Sequence, residues 1–294
     1  MIQGKTVPKM ASARSSRAIL RKYSKGNLFF KLLLICAFLA GGIWVRLNFL
    51  EAIWVNTHDI YPFAQNQSIV WFHKGNNAKK SITNGDVVLF SDPKANSMIR
   101  VVAANSGQTL EVKKGATLTN QNFSLELQED SWFLTDLNLK IPQKGDIWQW
   151  KQLELWEFDL AYKIFKQQKP TDSISLKLEL LINGNLVDLN KVGSVQMYNL
   201  PISATDLVHA NWQELYIAQL QLKLADPVAR QVQFRRSLWQ NDKEITQIIF
   251  DDDYFWLSCT KALNCSDSRD FGLIGMKNIK GKAGQHSLKL FLNK

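Results

Sequence analysis

The chain has 294 residues, 46% of them hydrophobic, long enough to bury a real core in one or two domains. Its net charge of +10 is uneven: residues 1–25 carry Lys5, Lys9, Arg14, Arg17, Arg21, Lys22 and Lys25 with no acid, which leaves about +3 for all the rest. A nucleic-acid surface needs Lys and Arg clustered on one folded face. No such cluster stands beyond the N-terminus, so a nucleic-acid partner is not expected.

After this basic tail, residues 28–50 (LFFKLLLICAFLAGGIWVRLNFL) are apolar except for Lys31, Arg46 and Asn48. The length suits one membrane crossing, and the two cations lie near its ends, where they can snorkel to the interfaces. The basic residues ahead of it predict an N-terminus in the cytoplasm, with everything after about residue 50 outside. A cleaved signal peptide would end in small residues, and Arg46-Leu47-Asn48-Phe49 is a poor exit of that kind. The lipid bilayer is therefore the first expected partner.

Thr57–Phe72 reads as a polar loop with Pro62 that enters a strand at Ile69–Phe72. His58 beside Asp59 suggests a base and its orienter, but no nucleophile pattern accompanies them and a solvated loop is the simpler reading. Asn84-Gly85-Asp86 is a turn before a strand at Val87–Phe90. A loop with Asp92-Pro93 leads to a second strand at Met98–Ala103, and Ser106-Gly107 turns into a third.

Residues 113–253 are harder to read. Ile141-Pro142-Gln143-Lys144-Gly145-Asp146 is another turn into a strand. Trp156–Gln168 carries apolar residues at 156, 158, 160, 161, 164 and 165, near helical spacing. Leu178–Leu189, with Asn183-Gly184-Asn185, reads as a hairpin. Trp212–Lys223 alternates Trp212, Leu215, Ile217, Leu220 and Leu222 as a strand would, and Gln231–Gln240 reads as another strand. Asp251-Asp252-Asp253 has no His or Cys beside it, so a solvated turn is expected and no metal. The ten tryptophans are scattered, which favours core and membrane-interface roles over a stacking platform.

Tyr254–Ala283 is the densest stretch: an aromatic strand, Tyr254-Phe255-Trp256-Leu257, then Cys259, a polar loop with Cys265, then Asp267-Ser268-Arg269, Gly272 and a Gly-Lys-Ala end. Asp267 and Arg269 are spaced to tie the loop by a charge-assisted pair. Cys259 and Cys265 lie six apart in a compartment where disulfides persist, so a bridge is expected, with two buried free thiols as the alternative. There is no Walker loop, HExxH or dinucleotide fingerprint, and no cofactor is expected.

The order of these pieces resembles the bacterial type I signal peptidases. Tyr254, Phe255, Asn264, Asp267, Ser268, Arg269, Phe271, Gly272, Ile279, Gly281, Lys282 and Ala283 match the family's C-terminal signature, although Ser258-Cys259-Thr260-Lys261 replaces its Gly-Asp-Asn-Arg element. Gly85-Asp86 with Val87–Phe90 matches its Gly-Asp strand, and Ile99–Ala103 followed by Ser106–Val112 is similar to the strand that carries its lysine. Thr57–Pro62 falls where the nucleophile loop belongs, with Pro62 retained.

The resemblance implies a mainly β fold: a single N-terminal transmembrane helix followed by a signal-peptidase-like β-sheet domain with an inserted cap subdomain. In that division residues 1–27 are a cytoplasmic basic tail, 28–50 the membrane helix, 51–112 and 254–294 the β core, and 113–253 a β-rich cap region. The implied location is the bacterial inner membrane, with the main domain outside the cytoplasm.

In the family a serine attacks the scissile carbonyl and a neutral lysine takes its proton. By position these become Asp59 and Ile99, so the dyad is absent, and Thr57 is the remnant of an oxyanion hole. Ser68 and Ser97, with Lys74 and Lys94, are the residues from which another dyad could be built. The resemblance further implies a peptide groove, formed by strand addition between Asp59, Ile60, Tyr61, Pro62 and Phe63 on one side and Ser97, Met98, Ile99, Arg100, Val101 and Val102 on the other. Three functions follow as expectations: a catalytically silent homologue that binds exported polypeptide or signal-peptide segments, an active signal peptidase with unusual residues, or a structural accessory of a pilus or secretion assembly.

Overall fold

The computed structural model describes residues 14–55, 60, 63, 67–113, 117–120, 123–126, 136–169, 173–197, 200–225, 228, 231–260 and 265–284. They fall into two compact units, Met1–Leu50 and Glu51–Lys294.

The first unit is the helix α1 (Arg14–Asn48). Its Leu28–Arg46 stretch has a mean hydropathy of 2.3, and none of it is buried against protein. At 1.5 Å per residue this stretch spans about 28 Å, close to the thickness of a bilayer's hydrocarbon core. Such a helix fits a membrane anchor or a signal sequence. Trp44 and Phe49 meet edge to face at its C-terminal end, 5.2 Å apart.

The second unit begins with β1 (Leu50–Val55), β2 (Ser68–His73), a short helix α2 (Asn76–Lys80), β3 (Val87–Ser91) and β4 (Ser97–Ala104). A small sheet follows: β5 (Thr109–Lys113), β6 (Thr117–Asn120), β7 (Phe123–Glu126) and β8 (Leu137–Lys140). Next come β9 (Ile147–Gln149), α3 (Leu155–Gln168), β10 (Ile174–Ile182), β11 (Asn185–Val187), β12 (Ser194–Met197), β13 (Leu200–Ser203) and α4 (Trp212–Ala225). The chain continues through β14 (Val232–Gln240), β15 (Lys243–Ile245), β16 (Gln247–Ile249), β17 (Tyr254–Ser258), α5 (Ser268–Phe271), β18 (Ile274–Gly275) and β19 (Ile279–Ala283).

The main sheet has the order β1-β2-β19-β3-β4-β17-β18, so the two ends of the second unit close on one another around β3 and β4. Both faces of this sheet are covered. Val87, Leu89 and Val101 pack on one face with Val70, Phe72 and Ala283, while Val88, Phe90 and Val102 pack on the other with Phe255, Leu257 and Ile279. That is why Val87–Phe90 is a continuous apolar run rather than an alternating one. Gly281 sits where β19 bulges against β3, close to β2 on its other side: a Cβ there would lie 2.9 Å from the His73 carbonyl oxygen. Gly281→Ala is expected to cost about 1–3 kcal/mol through overpacking, read from the urea midpoint.

Beyond residue 113, the Leu178–Leu189 hairpin forms as β10 and β11, with Asn183 and Gly184 both at positive φ as a tight two-residue turn requires. α3 forms where helical spacing predicts it, closed by a capping box between Glu154 and Glu157. Trp212–Lys223, whose alternation suggests a strand, is instead the helix α4. Trp212, Leu215 and Ala218 are its buried positions, three apart. Its start carries a second reciprocal cap: the Glu214 N–H donates to the Asn211 side chain at 2.9 Å, and the Asn211 N–H donates to Glu214 at 2.7 Å. Phe158, Leu160 and Ile164 of α3 join Ala103, Ala104 and Trp256 of the main sheet in one core cluster.

Candidate functional site

The signature loop is built around Asp267. It is fully buried and caps α5, accepting from the Arg269 N–H at 2.9 Å and from the Cys259 N–H at 3.2 Å. The Arg269 guanidinium closes on both carboxylate oxygens, 2.8 and 2.9 Å away. Burial pushes the Asp267 carboxyl up to about 7; the two N–H donors and the nearby Arg100 charge pull it down, while Asp270 adds to the rise. Ser268 accepts from the Leu257 N–H at 2.8 Å, which ties the loop to β17. Gly272 ends α5 at φ 85° with the Lys163 stem packed on it, a place with no room for an L side chain. Cys259 and Cys265 form a disulfide beneath this loop. Asp86, in the turn that Gly85 opens, pairs with Lys282 of β19 at 2.7 Å and accepts from the Thr83 N–H at 2.6 Å. Gly85, Asp86, Asp267, Ser268, Arg269 and Gly272 thus act as braces that join distant segments, and none is a reacting group.

β4 is the strand these braces hold. β3 pairs with it along its whole length, from Val87↔Val101 to Ser91↔Ser97. On its other side β17 reaches only Val101, Val102 and Ala104. Val101 and Val102 are therefore enclosed; among the described residues no strand pairs with Ser97–Ile99 on that side. The Val102 N–H donates to Asp86 and its carbonyl accepts from Gly85, on the β3 side. Backbone groups alternate along a ladder, so Ile99 and Ser97 turn theirs to the other side. The Arg100 guanidinium donates to the Ile99 carbonyl and, at 2.8 Å, to the Ser266 carbonyl.

The Ile99 side chain packs with Ile53 and Phe63 against the cluster that holds Ile60 and Val55. Thr57, His58, Asp59, Tyr61 and Pro62 lie outside the described residues. Lys74 pairs with Glu51 at 2.8 Å, and Ser68 is buried. Ser97 meets a different lysine: Lys280 of β19 donates to its hydroxyl at 2.6 Å. Sequence reasoning missed this pair because the two residues are 183 positions apart, and only the β19-β3-β4 order brings them together. The Ser97 side chain is exposed and Lys280 is half-buried. Asp251, Asp252 and Asp253 are tied to protein partners: Lys277 at 2.9 Å, the Lys277 N–H at 2.8 Å and the Lys144 N–H at 3.0 Å. Among the described residues no group of His, Cys, Asp and Glu is arranged to hold a metal.

Residues 27–147 match the family described as signal peptidase, peptidase S26. The match supports the resemblance to the type I signal peptidases. A comparison with curated proteins found no match. The matched stretch contains the apolar part of α1, the Gly85-Asp86 turn, β3 and β4. Signal peptidases act on signal peptides and are membrane-associated, and both fit a chain that begins with an apolar helix.

Proposed function

We propose that this chain is a member of the signal peptidase family that is anchored by α1 and binds extended segments of exported polypeptides outside the cytoplasm without cutting them. The reading is supported by Ile99, which the order of motifs sets at the general base's place and which packs into an apolar cluster. Without a base, an oxyanion hole built on Thr57 has little to act on. The open backbone of Ser97–Arg100 is what a bound segment would extend, by adding a strand to β4.

A second reading rests on the Ser97–Lys280 contact at 2.6 Å, which supplies a hydroxyl and an amine to the same sheet. Against it stands their exposure, since a lysine that serves as base is made neutral by burial.

Cleavage of a preprotein by detergent-solubilised protein separates the two. The natural chain and Asp59→Ala are expected to be inactive. Asp59→Ser/Ile99→Lys is expected to gain activity, because its new amine enters the apolar wall around Ile99, where desolvation favours the neutral form. Cleavage by the natural chain that disappears in Ser97→Ala would sink the silent reading and favour the second.

A further inference from the structure

We propose that the segment bound along β4 alternates apolar and acidic residues, with its acidic side chains entering a lysine-lined groove beside the Ser97–Arg100 edge. This rests on the strand-addition reading above and names the chemistry of the partner.

The groove has a volume of about 770 Å³ and lies between the β3–β4 loop, α3 and the signature loop. Lys94, Lys163, Lys166 and Lys277 line it with two acids, Asp92 and Asp270; Lys277 is already paired with Asp251 at 2.9 Å, so the other three lysines supply its free positive charge. Both acids already serve the fold. Asp92 accepts from the N–H groups of Lys94 and Asn96, at 2.9 and 2.7 Å, and Asp270 accepts from the Asp267 N–H at 3.0 Å. Lys163 donates to the Asp270 carbonyl at 2.7 Å and is half-buried, and desolvation lowers its pKa. A carboxylate arriving here would offset that cost. Pro93, Ala95 and Phe271 give the groove an apolar floor for the side-chain stems.

Its position relative to the edge follows from two contacts. Ser266, in the groove wall, takes the hydrogen bond from Arg100, and the loop that carries Lys94 leads directly into Ser97. The side of the sheet is set by packing. Met98 and Phe271 belong to one face, while Ile99, Ile60 and Phe63 belong to the other. A strand added beside Ser97–Arg100 sends successive side chains to opposite faces. One set meets the apolar wall around Ile99. The other set meets the lysines.

The test uses the full-length chain in detergent and fluorescence anisotropy of two labelled octapeptides, one alternating valine and glutamate, the other valine and glutamine. The glutamate peptide is expected to bind at least about fivefold more tightly, as two or three surface ion pairs would give. The advantage should vanish in Lys94→Ala/Lys166→Ala, two exposed positions, and shrink in high salt. Equal affinities for the two peptides, both lost in Ile99→Pro, would overturn the groove while leaving the edge as the binding site. Binding of neither peptide would overturn the edge reading, and this inference with it.

Discussion

Arg269→Ala is expected to destabilise the second unit by about 1–3 kcal/mol near pH 7, and by more above it, because the buried Asp267 carboxyl loses the guanidinium that bonds both of its oxygens. Asp267 is fully buried and the Arg269 side chain only 10% exposed, so water replaces little of what the guanidinium supplied. The loss carries a definite pH signature. Burial already pushes the Asp267 carboxyl up to about 7, and removing the cation can only raise it further. The unfolded chain has its ordinary value, about 3.9. A raised folded-state pKa means that the folded variant holds a proton which the unfolded chain has released. The variant should thus run parallel to the natural protein up to about pH 7, where both hold that proton, and fall further behind it as pH rises above 7. Urea unfolding at pH 4, 6 and 8, with the disulfide intact, reads this directly. A loss of equal size at all three pH values would mean that Asp267 is not the group responsible.

The second large effect concerns Arg236 on β14, which is paired with Asp159 on α3 and donates to the Ala210 carbonyl. Asp159 also accepts from the Trp212 N–H at 2.7 Å, so one ion pair joins α3, β14 and the first turn of α4. Desolvation raises the Asp159 carboxyl and lowers the Arg236 guanidinium, with each charge countering the other's shift. Arg236→Met is expected to cost about 3–5 kcal/mol by leaving Asp159 buried without its cation. Asp159→Leu/Arg236→Met should recover part of that loss. Recovery stays incomplete because the Trp212 N–H and the Ala210 carbonyl lose their partners, at about 1–3 kcal/mol each. A single variant within about 1 kcal/mol of the natural protein would show that the pair is not a keystone.

Where local pattern and tertiary environment agree, the sequence was readable. Val87–Phe90 and Met98–Ala103 are β-branched-rich and largely apolar because both sheet faces are covered, and they lie within β3 and β4. Asn183-Gly184 marks its hairpin because both residues take positive φ. α4 was misread because its apolar residues do not mark one face: Leu220 and Leu224 are exposed, while a small residue, Ala218, is buried. The informative signal was the Asn211-x-x-Glu214 spacing of a capping box, which the apolar alternation after it obscured. At the candidate site, Ile99 was found by aligning motifs. Lys280 was out of reach because its partner is made by strand order. Nor does any spacing reveal that the pairing of β17 with β4 ends at Val101.

The end of that pairing bears on how copies of the chain behave at high concentration. Unpaired strand edges invite self-association, and two identical edges pair most readily when facing residues exchange both of their backbone hydrogen bonds. Arg100 already donates to the Ile99 carbonyl, so Ile99 presents its N–H with that acceptor occupied. Two such edges meeting head to tail would each bring a charged guanidinium into the other's ladder. The arginine thereby acts as a guard: it leaves the edge able to receive a foreign strand and poorly suited to receive its own twin.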